Sequence, residues 1–390
     1  MGLHPVLSIS GSVVISSIVV GCTPPHRHAI RSGALLLIAL CTWQCTTTAK
    51  ARLVRNPWAQ MVAGHSVTLL FHYIDIAVLN KWSFSQLSLR QQLVSGFSLT
   101  LNPRFIGTSQ QVKHVPRPVL NQSRKSFLWS TGGLILLSYL VLDVLDSNLD
   151  VDLTAKYMSA SNVPVLRRLY RHELSLQEVI VRVFSVVGLV IGLVAVQGGC
   201  YLLFAFVRVL CHLSSPADWP PLFGSISDAY TLRRVWSHVW HQLNTHKLNC
   251  FSRYLVHGIL LIPQGTRSIL VGYARLGVCF VLSGLVHALM DTSIGLTMST
   301  SGGLAFFCTQ ILGIVVEDAV LSVYSRLTAT KLSHLPSRPS AAQKVIGFVW
   351  VCAFLVWTLP AYMYPMISLN SHGGNDSVLP VSLVGLWKRR

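Results

Sequence analysis

The chain has 390 residues, 52% of them hydrophobic and only 11% charged. Soluble domains carry about 25% charged residues, so an ordinary cytosolic enzyme is excluded, as is disorder, whose mark is low hydrophobicity. Long unbroken apolar runs also exclude a transmembrane β-barrel, whose strands alternate apolar and polar residues. The 31 Lys and Arg against 13 Asp and Glu give a net charge of +18. That excess would suit nucleic acid, but in so apolar a chain it is what basic cytoplasmic loops produce, and no nucleic-acid partner is expected. The expected fold class is all-α, a polytopic integral membrane protein with about 7–8 transmembrane helices in one multi-pass domain over 1–390.

The first 80 residues hold the N-terminal spans. Val6 to Cys22 is a weak candidate rich in Ser and Gly, Ser32 to Thr46 follows, and Trp58 to Leu79 is interrupted by His65, His72 and Asp75. Basic residues flank the second run on both sides, so the positive-inside rule does not order this part. Residues 81–126 contain seven Lys or Arg and no acid, and read as a basic cytosolic loop. Phe127 to Leu142 is a short span ending at Asp143, and the acids after it suit the far side. Val183 to Val207, about 25 residues without a charge, is the strongest span. A polar segment from Cys211 to Arg253 then precedes spans at Ser268 to Met290, Leu304 to Tyr324 and Val345 to Ile367. Tyr254 to Ile262 reads as interfacial and Asp291 to Gly303 as a lumenal loop. The sequon at Asn375 is compatible with a lumenal, glycosylated tail. Nine scattered cysteines without a C-x-x-C pair suggest neither disulfides nor zinc.

Ionisable residues inside spans are costly and often functional. His287, in S-G-L-V-H, is either a helix-packing histidine or a general base, the usual role of a neutral imidazole near pH 7. Ser283 and Gly284 on the preceding turn leave room for a substrate. Glu317 and Asp318 are neighbours on one helix and point about 100° apart, which favours structural pairing for both. Asp75 and Asp143 lie close enough to span ends to reach the interface.

The segment from Asp218 to Asn244 concentrates Trp, His and Arg. Trp219-Pro220-Pro221 is a stiff turn, and Thr231 is placed to cap a following helix. On that helix Trp236 and Trp240 fall four apart and form one stripe, with Arg234, His238 and His241 on a neighbouring face. Tryptophan at this density also suits a membrane interface. His238 and His241 lack a third ligand at a recognised spacing, so no metal is expected.

These pieces resemble a known family. P-P-L-F-G-S (Pro220 to Ser225), D-A-Y-T-L-R-R-V-W-S-H-V-W-H-Q (Asp228 to Gln242) and S-G-L-V-H (Ser283 to His287) are similar to the wax synthase domain of the membrane-bound O-acyltransferase superfamily. N-P-R-F-I-G-T (Asn102 to Thr108), Q-V-K-H-V-P (Gln111 to Pro116), the run from Gln310 to Asp318 and W-T-L-P-A-Y-M-Y-P (Trp357 to Pro365) resemble its fungal branch, which acetylates terpenoids and meroterpenoids. The likeness covers most of the chain beyond residue 100, with a wax synthase-like catalytic core over 200–367.

The resemblance implies acyl transfer from acyl-coenzyme A to a hydroxyl, with His287 as the catalytic histidine and His241 as a second polar residue at the reaction chamber. Acetyl-coenzyme A would be the co-substrate, with no bound cofactor, in a multi-pass protein of the endoplasmic reticulum membrane. A base contributes about 10²- to 10⁴-fold by taking the hydroxyl proton. Trp240, Asn244, Trp236 and Ser283 would position the acceptor or the oxyanion. Arg233, Arg234, Arg104 and Lys113 are candidates for the coenzyme A phosphates, or simply follow positive-inside topology. The alternatives are a longer-chain acyltransferase making wax or sterol esters, a proton-coupled transporter using Glu317, Asp318 and His287, and a small membrane terpene cyclase.

Overall fold

The computed structural model describes residues 3–119, 121–148, 150–329, 339–370 and 377–388. No strand occurs among the described residues, and eight of the helices are long and apolar enough to cross a membrane. The protein is a multi-pass all-α membrane protein, as its composition requires. The chain divides into two compact units, each assembled from non-consecutive stretches. Residues 3–112 and 243–308 form the first, and the described residues of 113–242, 309–370 and 377–388 the second.

In the first unit, α1 (Pro5–Cys22), α2 (His28–Arg52), α3 (Asn56–Tyr73) and α4 (Leu89–Thr100) pack together. The Ser- and Gly-rich composition of α1 is explained by its neighbours. Ser8, Ser12, Ser16 and Ser17 are buried, and Ser16 shares a hydrogen bond of 3.0 Å with Thr100. A Cβ on Gly21 would strike the backbone of Gln92, and one on Gly96 that of Ser17. Glycine is needed for this backbone approach, as at close crossings of membrane helices generally. Arg31 is buried too, and gives its guanidinium to the carbonyls of Ala77 (2.7 Å), Thr23 (2.8 Å) and Trp82 (2.8 Å). A charge expected in a loop is thus spent inside the protein, which accounts for the uninformative charge count around α2.

Helix α3 continues to Leu79 through a wider turn, in which the Asn80 N–H reaches the Asp75 carbonyl five residues back. Asp75 does not reach the membrane interface: its side chain is fully buried and paired internally.

In the second unit, α5 (Arg124–Ser147) packs along α8 (Leu176–Leu210), with the short α6 (Val151–Tyr157) and α7 (Val165–Tyr170) between them in sequence. The span expected to end at Asp143 runs on for another turn. Asp143 is fully buried because its carboxylate accepts the N–H groups of Leu383 (2.9 Å) and Val384 (3.0 Å) at the head of a C-terminal helix. The remaining elements are α9 (Leu232–Arg234), α10 (Thr245–Arg253), α11 (Ile269–Thr292), α12 (Gly303–Ala329), α13 (Ala341–Thr358), α14 (Pro360–Asn370) and α15 (Leu383–Lys388). The expected last span, Val345 to Ile367, is divided at Leu359. Pro360 has no N–H to continue α13 but fits the first turn of α14. The sequon at Asn375 lies outside the described residues.

Candidate active site

His287 sits near the C-terminal end of α11, a helix whose apolar run starts at the capping side chain of Ser268. One ring nitrogen, Nδ1, lies 2.7 Å from the Ser283 carbonyl oxygen. A carbonyl only accepts, so Nδ1 carries the proton, and Nε2 is the basic nitrogen of the neutral ring. The imidazole packs against Phe307, 4.5 Å between ring centres. Two glycines bring α12 against it. A Cβ on Gly284 would lie 2.8 Å from the Leu304 Cα, and one on Gly303 would lie 3.3 Å from the His287 Cβ.

The loop between α11 and α12 is held by the protein. Asp291, expected to begin a lumenal loop, is instead fully buried in the last turn of α11. It accepts hydrogen bonds from Gln60 (2.6 Å) and Ser301 (2.5 Å), while Lys50 donates to the Ile294 carbonyl at 2.8 Å. Gly64 on α3 packs on Met290, Thr68 meets Lys247 of α10, and Leu248 meets Cys279 of α11. Helices α3 and α11 therefore run antiparallel, with the Gly64–Thr68 turn level with the Ser283–His287 turn.

A second polar group lies on α10. Lys247 is buried and donates to Asn244 Oδ1 (3.0 Å) and the Thr68 carbonyl (3.5 Å). Burial pushes its ammonium down to about 8, against the pull of Asp75. Next to it, His246 Nδ1 lies 2.7 Å from Asp75 Oδ2, its Nε2 lies 3.1 Å from Gln110, and its ring packs at a tilt on Phe105, 3.9 Å between ring centres. Burial pushes His246 down, but the hydrogen bond and charge of Asp75, together with Cys250, outweigh it and raise it to about 9. Cys250 completes a set of donor atoms within 4.8 Å of one another, the group among the described residues best able to hold a metal. Its members are already engaged by neighbours: Asn80 donates to both Asp75 Oδ1 and Cys250 Sγ, and Arg253 donates to the same sulfur.

In the second unit the Trp- and His-rich segment differs from a plain helix. Thr231 caps α9 by accepting the Arg234 N–H at 3.1 Å, as expected. The helix then widens over Val235–Val239 and ends, with the Trp240 N–H on the Val235 carbonyl (2.7 Å) and Trp240 extended. His241 therefore does not share a helix face with Arg234 and His238. The wide turn ends the helix at Val239, two residues before it, where the Pro220–Ser225 loop packs against the helix end. Gly224 donates to the Val239 carbonyl at 2.9 Å, and any Cβ there would strike His238. Trp240 packs on Trp236, Phe223 and His241, and Trp236 donates to Gln310 at 3.3 Å. Gln242, fully buried, donates to the His114 and Ser237 carbonyls. His114 stacks on His238, and burial, with His114 and Arg234 nearby, pushes His238 below its ordinary value.

The acidic pair on α12 is structural on both sides. Glu317 accepts from the Leu232 N–H (2.6 Å) and Trp350 (3.2 Å), while Asp318 pairs with Arg233. Among the coenzyme A candidates, Arg234 pairs with Asp228, Arg104 is buried, and Lys113 is exposed.

Residues 219–309 match the model of the membrane bound O-acyl transferase family. The acetyltransferase aurG of Calcarisporium arbuscula is 29% identical over 401 residues, covering 95% of each chain. Within residues 219–309 the chain is similar to the membrane bound O-acyl transferase family. It is an acyltransferase. The acetyltransferase fsoF of Humicola fuscoatra is 27% identical over 80% of this chain and 84% of its own. The acetyltransferase atnC of an Arthrinium species is 30% identical over 70% and 63%. No solved structure matches. The matched stretch of this acyltransferase includes His241, Asn244 and His287. Sequence reasoning did not find Gln60, Lys247 or Phe307. Lys247 alone carried a signal, a charge within a stretch whose other polar residues drew attention.

Proposed function

We propose that the protein transfers an acetyl group from acetyl-coenzyme A to a hydroxyl of a lipophilic terpenoid or meroterpenoid, with His287 as general base. The observation that carries this reading is the Nδ1 bond of His287 to the Ser283 carbonyl, which leaves Nε2 as the basic nitrogen. The names of the similar fungal acetyltransferases support the acetyl donor. Nε2 takes the proton of the acceptor hydroxyl as its oxygen bonds to the acetyl carbon. The tetrahedral oxyanion collapses, the C–S bond breaks, and the proton passes to the coenzyme A thiolate. Products are the ester and the free thiol, with no enzyme-bound intermediate and no bound cofactor. Asn244 orients the oxyanion, in the company of Ser283. A chamber within the membrane keeps water from the thioester and admits acceptors from the bilayer; the membrane proposed is that of the endoplasmic reticulum. The engagement of Glu317 with Leu232 and Trp350, and of Asp318 with Arg233, speaks against a proton relay through that pair.

The test uses microsomes of an expressing host, supplied with acetyl- or palmitoyl-coenzyme A and a panel of terpenoid alcohols. Mass spectrometry should find a gain of one acetyl group, lost in His287→Ala at unchanged protein level. Transfer of palmitate in place of acetate, or near wild-type turnover in the variant, refutes the reading.

A further inference from the structure

A buried lysine that forms no ion pair is unusual, because an unpaired ammonium is costly to remove from water. Lys247 is in that position: among the described residues no Asp or Glu oxygen lies within ion-pairing distance of it. Its partners are the Asn244 Oδ1 and the Thr68 carbonyl. Asn244 is itself anomalous. It is the residue before α10, where an asparagine ordinarily turns its side-chain oxygen onto the N–H groups of the first helical turn. Here it makes no such bond, and the oxygen is turned to Lys247 instead. An ammonium has three donors and no acceptor, so the carboxamide orientation is fixed: Oδ1 toward Lys247, Nδ2 away from it. No bond among the described residues takes that amide nitrogen, and Asn244 is only half-buried. Thr68, which Lys247 also holds, lies on the turn of α3 that is level with Ser283–His287 of α11. Lys247, Asn244 and His287 all belong to the first unit.

We propose that Lys247 is a positioning residue for acyl transfer, holding the Asn244 carboxamide so that its N–H group donates to the thioester carbonyl oxygen as that oxygen becomes negative. This deepens the acyl-transfer reading and rests on it. Lys247 is too buried to touch substrate and acts through Asn244. Its charge also draws electron density toward the Asn244 oxygen, which sharpens the amide as a donor. Donors fixed in advance cost no reorganisation during reaction, and loss of one lowers kcat about 10²- to 10³-fold.

The test measures kcat and KM for acetyl-coenzyme A in detergent-purified protein, using the best-accepted alcohol of the panel above. Asn244→Ala should lower kcat about 10²-fold with little change in KM, and Lys247→Met should lower it at least about 10-fold. Lys247→Gln, whose amide can still donate to Asn244, should recover most of the rate. The double variant Asn244→Ala with Lys247→Met should be no slower than Asn244→Ala alone, because one residue works through the other. Wild-type kcat in Lys247→Met, losses that multiply in the double variant, or an effect on KM alone overturns the proposal. Should Lys247→Met lose its cooperative melting transition, the decision passes to Asn244→Ala and Lys247→Gln: wild-type kcat in the first or no recovery in the second refutes it. His287→Ala separates the two levels. An inactive His287→Ala beside unaffected Lys247 and Asn244 variants defeats this proposal alone, whereas an active one defeats the acyl-transfer reading beneath it.

Discussion

Replacing Asp75 with asparagine keeps the shape of a buried side chain and removes its charge. In the wild-type protein that charge holds a proton on His246, which rises from an ordinary value of 6.5 to about 9 despite its burial. Below pH 6.5 the imidazole is protonated in both the folded and the unfolded chain, and the contribution of the pair is complete. As pH rises further the unfolded chain releases its proton first, while the folded chain keeps it until about 9. Stability therefore falls over that interval, by about 1.4 kcal/mol for each tenfold change in proton activity and about 3 kcal/mol in all. The side chains are 13% and 0% exposed, so solvent screens the pair little. Thermal unfolding of detergent-solubilised wild type and Asp75→Asn, followed from about pH 6 to pH 9.5, reads this directly. The wild type should be the more stable at the acid end, and its advantage should shrink steadily toward the alkaline end. A gap that stays constant across the range would show that the proton is not held by Asp75.

Three further outcomes follow from the same geometry. His287→Gln should lower kcat about 10²- to 10⁴-fold while the folded protein accumulates normally, because the base is lost and the helix is not. Gly303→Ala places a methyl group 3.3 Å from the His287 Cβ; displacing the imidazole slightly should cost about 10-fold in kcat, with KM for acetyl-coenzyme A unchanged. Glu317→Ala leaves the Leu232 N–H and the Trp350 indole without their acceptor, and chemical or thermal denaturation should register a loss of about 1–3 kcal/mol per orphaned donor.

Much of this was legible in the chain because the membrane imposes length and apolarity on any span. The run from Val183 to Val207 needs no tertiary information, and His287 stands out as an imidazole in apolar surroundings. Thr231 as a cap and the structural engagement of Glu317 and Asp318 also followed from local rules. What escaped depends on partners far away in sequence. Arg31 counts as a loop charge until three distant carbonyls are seen around it. Asp75 and Asp143 look like interfacial acids, and Asp291 like the start of a loop, until His246, the head of α15, and Gln60 with Ser301 are placed beside them. A regular period of 3.6 through Trp236 and Trp240 is broken by the wide turn at Val235–Val239, and no residue type in that stretch announces the break.

The pairing of Asp75 with His246 joins residues 171 positions apart. At a synthesis rate of about 5–20 residues per second, the partner of this carboxylate emerges roughly 10–30 s after it does. For that interval the growing polypeptide has to carry an unmatched acid in its third span. Maturation of the N-terminal spans is thus timed by the arrival of α10, and a polypeptide halted before residue 246 should remain a target for quality-control proteases.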